Sequence, residues 1–259
     1  KRNCHNNFLF YSTNYIHTYK FYINQMIEKN NIEILIPTLN EEGNIEETIS
    51  NLKERGYNNI TIIDDNSSDN TVKISREMGC KVIENLTRVR LGFGKSLIKA
   101  FELSSSDYCC IFDGDNSFDP DSLNIMKNKI NENFDFVFCS RYKDNNTSED
   151  DTVVRKLGNY FFTNFVNILF KINTTDVLFL YVISKRKNFL NINLNSYDFG
   201  ICTEILLKSY LNFNCTEVLS LERKRKFGKS KVNAVYDGFK ILMNILHYYI
   251  KSFSKKKLI

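Results

Sequence analysis

Two acids close an apolar run in the stretch IFDGDNSFDP (111–120), where Asp113 and Asp115 flank Gly114. Carboxylates at i and i+2 across a small residue can reach one divalent ion together, and a hard cation such as Mg2+ or Mn2+ takes oxygen ligands. An acid/base pair or an ordinary turn would also explain them, and D-x-D alone does not choose. Its place where a buried strand would end adds weight to a metal whose other ligands come with the substrate, without deciding among the three. A second acidic end, DDNSSD (64–69), offers Asp64 or Asp65 to a nucleobase edge or ribose hydroxyls, and Asp69 as a helix cap. The glycines of LGFGKS (91–96) suit a phosphate cradle or a tight turn equally, having neither the dinucleotide fingerprint nor P-loop spacing.

Cations stand apart from these acids in sequence. Arg141 in CSRY and Arg155 in VVRK flank the polar loop YKDNNTSEDDT, and RKRKFGKSK (223–231) surrounds Gly228. Cations beside an acidic metal site make sense when the ligands are phosphates. A basic run is more commonly a solvated face, but that does not explain why Phe227 and Gly228 interrupt this one.

The elements that must position these residues alternate. IEILIPT (32–38) reads as a buried strand closed by Pro37, and Ile45, Ile49 and Leu52 mark a helix ended by Gly56. Strand Ile60–Ile63, a helix stopping at Gly79 and the short strand CKVIEN follow. A helix then opens at Gly92 and Gly94, before the strand YCCIF, a helix behind Pro120 and the strand FDFVFCSRY. Such alternation predicts an α/β fold with a mostly parallel sheet and helices on both faces. Ligands of such sheets bind beyond the carboxyl ends of the strands, which is where PTLNE, DDNSSD, DGDNS and SRY fall. Beyond 152 the pattern becomes helical: 153–172 is dense in aromatics, 198–212 presents Ile201, Ile205, Leu206 and Tyr210, and CTEVL is a strand. A last amphipathic helix carries Val235, Phe239, Leu242, Leu246 and Tyr249 in a stripe.

Composition bounds the function. With 259 residues, 42% hydrophobic and 25% charged, the chain can bury one large α/β core. A net charge of +5 tolerates phosphates or headgroups but is no nucleic-acid signal. The seven cysteines lack C-x-x-C pairs, and Cys109, Cys110 and Cys139 lie in apolar runs, which predicts reduced packing thiols rather than zinc or disulfides. No apolar run is long enough to span a bilayer; the nearest, 157–172, is interrupted by Asn159, Asn164, Asn167 and Lys171. The first 25 residues show no period and no signal-peptide cleavage site, and the globular unit is expected to start near Met26. We divide the chain into an N-terminal extension (1–29), a catalytic domain (30–231) and a C-terminal helix with a basic tail (232–259).

The ordered set PTLNE, DDNSSDNT, LGFGKS, DGDNSFDP, SRY, TE and RKFGKSK, over about residues 32–240, resembles the family 2 glycosyltransferases of the GT-A fold. Within that family it resembles specifically the polyprenyl-phosphate glycosyltransferases such as dolichol-phosphate mannose synthase. The resemblance implies a Rossmann-like, nucleotide-diphospho-sugar transferase fold with a C-terminal amphipathic helix. It places the nucleotide on Pro37, Leu39, Glu41, Ile63, Asp65 and Gly114, and a Mg2+ or Mn2+ ion on Asp113 and Asp115, with Ser117 where the family often has Gln. It places the acceptor phosphate on Arg141, Arg155, Arg225, Ser230 and Lys231, and it makes Asp113, Asp115, Arg141, Arg155 and Arg225 the catalytic set. The sequence departs from the family elsewhere too: Leu39 replaces a Tyr, the family's S-G-F-R becomes DVLFLYV (176–182) with Tyr181 and Val182 at its last two places, and EVLS (217–220) lacks a Pro.

The implied reaction is metal-dependent inverting transfer of a hexose from GDP-mannose or UDP-glucose to a polyprenyl or dolichyl phosphate. No general base is then required, in keeping with three histidines (5, 17 and 247) that all lie away from the motifs. Glu204, in the TE motif, is expected to be structural or to position the acceptor. The implied setting is peripheral, on the cytoplasmic face of the endoplasmic reticulum or of a plasma membrane. Residues 157–172, the last helix and Lys255–Lys257 are candidates to meet the membrane surface, or a small membrane-anchoring subunit supplies the attachment. Two other functions fit the motifs: a family 2 transferase with a saccharide hydroxyl acceptor and Glu204 as base, or a degenerate binding subunit.

Overall fold

A computed structural model describes residues 27–87, 89–228 and 234–253 of the chain. Residues 1–26, with His5 and His17, lie outside the described residues, as do Lys229, Ser230, Lys231 and the tail holding Lys255–Lys257. The strands are β1 (Ile32–Thr38), β2 (Ile60–Asp64), β3 (Lys81–Glu84), β4 (Tyr108–Ile111), β5 (Phe136–Ser140), β6 (Val182–Lys185) and β7 (Cys215–Leu219). The helices are α1 (Ile45–Glu54), α2 (Thr71–Glu77), α3 (Phe93–Leu103), α4 (Ser122–Asn131), α5 (Val153–Phe170), α6 (Arg186–Asn191), α7 (Gly200–Asn212) and α8 (Ala234–Phe253).

One sheet runs β3-β2-β1-β4-β6-β5-β7. Its pairs are parallel except that β6 runs antiparallel to both β4 and β5. Alternation along β1 sends Ile34 and Ile36 to one face, where they meet Ile49 and Leu52 of α1 and Met126 of α4. Leu35 faces the other way, with Phe101 of α3, Ile205 of α7 and Ile245 of α8. The sheet is therefore covered on both sides, as its nearly continuous apolar strands require. Pro37 lies inside β1 rather than at its exit, in register with Ile63. It is tolerated there because β4 pairs with β1 only as far as Leu35, so no ladder bond needs its missing N–H.

Cys109, Cys110 and Cys139 are buried free thiols, and burial pushes each above its usual range. On α8 the core face is Ile241, Ile245 and Tyr248, one position from the expected stripe, whose Phe239 is exposed. A helix apolar around more than half its circumference does not fix its own rotation; the partner helices do. Burying each of those three is worth roughly 1.5–3 kcal/mol, which holds α8 against α5 and α7.

Glu204 of α7 is fully buried and pairs with Lys208 one turn on, at 2.8 Å. It also accepts from the Asn195 N–H (2.9 Å) and the Ser196 N–H (2.7 Å). Burial alone would push this carboxyl up, but hydrogen bonds from Lys208, Tyr248 and Ser196 overcome it and hold it below the usual range. Glu204 is thus a strut between α7, α8 and the 195–196 turn. Glu204→Ala should cost about 3–5 kcal/mol, because Lys208 is left buried and unpaired. A carboxyl depressed in the folded state contributes stability above its unfolded pKa and loses it as pH falls through the folded value. The gap between wild type and variant in urea unfolding should therefore narrow on acidification, and equal midpoints at neutral pH would refute the strut.

Candidate active site

β1, β2 and β4 release their chains at one edge of the sheet, and each following loop turns on an asparagine in the left-handed region: Asn40 (φ 54°), Asn66 (φ 67°) and Asn116 (φ 63°). Asparagine reaches that conformation more readily than other side-chain-bearing residues. Because β4 lies beside β1, the D-x-D turn is pressed onto the PTLNE loop. A Cβ on Gly114 would stand 3.2 Å from Thr38 Cγ2 and 3.7 Å from Glu41 Cγ, so the approach is close and a larger residue would press on Thr38. The Gly114 carbonyl accepts from the Thr48 hydroxyl at 3.2 Å. From below, Tyr181 donates to the Asp119 carbonyl (3.1 Å) and stacks on Phe118. The tyrosine at the family's Phe position is therefore a prop for this turn, while Val182 is buried in β6 opposite Ile111.

Asp113 is half-buried and accepts from its neighbour's Gly114 N–H at 2.7 Å. Burial, then the nearby Asp115 and Glu41 carboxylates, push it well above the usual carboxylate range. Asp115 is buried, accepting from the Ser117 N–H (3.0 Å) and facing Arg225 Nη2 at 3.2 Å. Ser117 is buried too, and its carbonyl accepts from the Arg223 N–H at 2.8 Å. A divalent ion suits the pair, since a double positive charge would relieve the repulsion that raises Asp113. Among the described residues no three His, Cys, Asp or Glu side chains converge as a metal cage. Asp113 and Asp115 would thus leave the other ligand positions to substrate oxygens, as Mg2+ sites commonly do.

The nucleotide-side residues do different jobs. Ile63 is buried in the core, and Leu39 is half-exposed beside the turn. Glu41 accepts from Asn44 Nδ2 at 2.9 Å. The Asp65 carboxylate has three donors from its own chain: the Leu91 N–H (2.7 Å), the Gly92 N–H (2.9 Å) and Asn85 Nδ2 (2.8 Å). Asp64 braces Ser67, and Asp69 accepts the Thr71 N–H at the start of α2, although Asn70 holds the cap position itself. The glycines of LGFGKS turn out to be packing devices. Gly92 has φ 89°, and a Cβ on Gly94 would lie 2.2 Å from the Ser196 carbonyl. The Gly94 N–H is committed to the Tyr197 carbonyl at 3.0 Å.

The basic run crosses over the acidic turn, with Arg225 half-buried and Lys224, Lys226 and Phe227 exposed. Arg223 meets Asp119 at 3.0 Å, Lys226 meets Glu47 at 2.6 Å, and Phe227 lies over Gly43, its backbone held by Asn44. Arg141, Arg155 and Arg225 all line a cavity of about 300 Å³ that also reaches Asp113. Arg141 is the most constrained: Asp176 holds its Nε at 2.7 Å and Nη2 at 3.0 Å, and Glu222 its Nη1 at 3.1 Å. Burial opposes the Arg141 charge, but Asp176 and Glu222 outweigh it and raise its pKa. Arg155 and Arg225 share Asp150. Much of the remaining wall is apolar, with Phe93, Phe162, Leu178, Phe179, Phe199 and Ile241.

Asp150, Asp151, Asp176, Glu222 and Asn159 were not singled out as site residues in the sequence. The first two sit in what reads as a polar loop, and the signal was their spacing before Arg155. Asn159 is 2% exposed, lines the cavity, and its Oδ1 has no hydrogen-bond partner among the described residues.

Residues 33–189 match Glycosyl transferase family 2. The chain belongs to this family. Two curated relatives are each 28% identical: an uncharacterized protein of Methanocaldococcus jannaschii (85% of this chain, 93% of that one) and the UDP-N-acetylglucosamine--dolichyl-phosphate N-acetylglucosaminyltransferase of Methanococcus voltae (83% and 94%). Among solved structures, glucosyl-3-phosphoglycerate synthase from Mycobacterium tuberculosis, in complex with Mn2+, UDP-glucose and glycerol 3-phosphate, superposes with a TM-score of 0.65 at 15% identity (83% and 79%). The fold is GT-A. In this family 2 glycosyltransferase the cavity arginines differ in how firmly their partners hold them. Arg141→Lys should cost about 3–5 kcal/mol by breaking a buried pair. Arg155→Lys, whose contact is longer and half-exposed, should cost under about 1 kcal/mol. Urea unfolding of the two variants checks this, and equal costs would contradict the distinction.

Proposed function

We propose that this glycosyltransferase moves a hexose or N-acetylhexosamine, with inversion, from a nucleoside diphosphate sugar to a polyprenyl or dolichyl phosphate, in the manner of dolichol-phosphate mannose synthase. GDP-mannose and UDP-glucose are donors of the right class, and the Methanococcus voltae relative's name adds UDP-N-acetylglucosamine. One observation carries the reading: a single cavity joins the Asp113 edge to three arginines and then to an apolar wall between α5 and α8. That sequence of surfaces matches a sugar diphosphate, a phosphate and a hydrocarbon chain.

A Mg2+ or Mn2+ ion on Asp113 and Asp115 would neutralise charge on the leaving diphosphate. Arg155 and Arg225 hold the acceptor phosphate, and Arg141, fixed by Asp176, presents its charge to the same cavity. A phosphate monoester has a second pKa of about 6, so the nucleophile is anionic at neutral pH and needs no base. Glu204 is outside the cavity wall and spent on Lys208, which argues against a hydroxyl acceptor activated by it. Leu39 and Val182 do not empty the cavity, which argues against a degenerate subunit.

Asp113→Asn should lower transfer on the order of a hundredfold or more without destabilising the fold, because it removes a carboxylate that its neighbours repel. Incubation with Mn2+, each labelled nucleotide sugar and a polyprenyl phosphate reads the outcome. A labelled lipid lost in the variant supports the reading, a water-soluble saccharide points to a hydroxyl acceptor, and no product points to a binding subunit.

The acceptor's chain implies a membrane surface. Among the described residues no helix is long and apolar enough to cross a membrane. α5, however, buries Asn159, Thr163, Val166 and Phe170 while exposing Val154, Leu157, Tyr160, Phe161 and Ile168. Its exposed face is largely apolar although Lys156 and Asn164 interrupt it, and α8 adds exposed Phe239, Met243 and Ile250. We read these faces as lying at the bilayer interface, directly or through a small membrane-anchoring subunit. Liposome flotation should carry the protein upward, and Leu157→Glu with Phe161→Glu should leave it at the bottom. Wild type that never floats would remove the direct form of the proposal.

A further inference from the structure

The cavity arginines differ in what already occupies them. Arg155 and Arg225 converge on one carboxylate. Asp150 Oδ2 is 3.0 Å from Arg225 Nη2, 3.3 Å from its Nε and 3.4 Å from Arg155 Nη1. Asp150 belongs to the irregular stretch that leads into α5, not to a strand or helix. A guanidinium fork fits carboxylate and phosphate oxygens alike. The position between the two arginines is therefore an anion site filled by the chain itself.

We propose that Asp150 is a specificity-determining residue: it occupies the Arg155–Arg225 site in the free enzyme, and only a ligand with the charge of a phosphate monoester displaces it. The inference rests on reading Arg155 and Arg225 as ligands of the acceptor phosphate. Its physics is competition. A tethered carboxylate is present at high effective concentration, so a neutral sugar hydroxyl cannot dislodge it. A phosphodiester brings one negative charge and at best matches it. A monoester brings about −1.5 to −2 with three acceptor oxygens, enough to satisfy both guanidiniums at once. Six carboxylates (Asp113, Asp115, Asp150, Asp151, Asp176 and Glu222) crowd the three arginines, so the departure of Asp150 offsets part of the negative charge that an arriving phosphate brings. The loop stays tethered while Asp150 moves, because Tyr142 donates to Asp151, Ser148 donates to Glu222, and the Glu149 N–H reaches the Glu222 carbonyl at 3.0 Å.

Calorimetric titration of the full chain with geranyl phosphate and with its methyl ester, a phosphodiester, tests this in wild type, Asp150→Asn and Arg155→Gln. Thermal unfolding confirms that each variant is folded. Asp150→Asn should bind geranyl phosphate about five- to tenfold more tightly, since the competitor's share of the site is released. The diester should gain more, so the preference for the monoester narrows. Arg155→Gln should weaken the monoester by about tenfold or more. If Asp150→Asn binds equally or less well while Arg155→Gln weakens binding, Asp150 is no selector but the arginines still hold the phosphate. If no form binds, or Arg155→Gln changes nothing, the acceptor-phosphate reading fails and the selector with it.

Discussion

Carboxylates brought together at one edge of a parallel sheet set the terms for this structure. β4 lies beside β1, so the D-x-D turn and the PTLNE loop leave the sheet side by side, and Asp113 stands near both Asp115 and Glu41. The crowding costs free energy unless positive charge arrives. Much of the second half of the chain supplies it. The 223–228 run crosses back over the turn, placing Arg223 on Asp119 and Arg225 on Asp115. Arg141 enters from the end of β5. Cations drawn to one edge then bring carboxylates of their own, Asp150, Asp176 and Glu222, so a small number of strand ends organises a layered network of charge.

Within that network, identical side chains have different roles because their partners differ. Asp65 and Asp113 both follow apolar strands, yet Asp65 is saturated by N–H donors and braces a loop, while Asp113 has the Gly114 N–H and like charges around it. A saturated carboxylate holds structure; a repelled one is ready for a cation. Arg141 and Arg155 divide the same way. The bidentate grip of Asp176 makes Arg141 a fixed charge, whereas the long contact from Asp150 leaves Arg155 able to exchange partners.

Much of this was legible in the sequence, and the failures have physical causes. Buried parallel strands are nearly uniform apolar runs, so β1, β2, β4 and β5 announce themselves, and their ends mark the edge where acids gather. β6 does not. VISK is four residues long, is followed at once by α6, and inserts antiparallel between β4 and β5, a placement fixed by pairing and not by local pattern. The cavity acids escaped for a related reason. Asp150 in a polar loop looks like solvated charge until the chain folds it onto Arg225, 75 residues away. The glycines of LGFGKS had two local explanations, and only their approach to the 196–198 backbone decides for packing.

α5 links the chemistry to the surface. Its helical period puts Arg155, Gly158, Asn159 and Phe162 on the cavity wall, while Leu157, Phe161 and Ile168, at spacings of four and seven, point outward. The core-facing side carries Asn159 and Thr163 beside Phe162, Phe165, Val166 and Leu169, and the outward side adds Leu157, Tyr160, Phe161 and Ile168 between Lys156 and Asn164, so the helix is apolar on both sides, unlike an ordinary surface helix. Evolution toward solubility alone would exchange Leu157 and Ile168 for charges at little cost to packing. Their presence on the helix that also carries Arg155 makes sense if the apolar face and the charged cavity serve one molecule that is apolar at one end and anionic at the other.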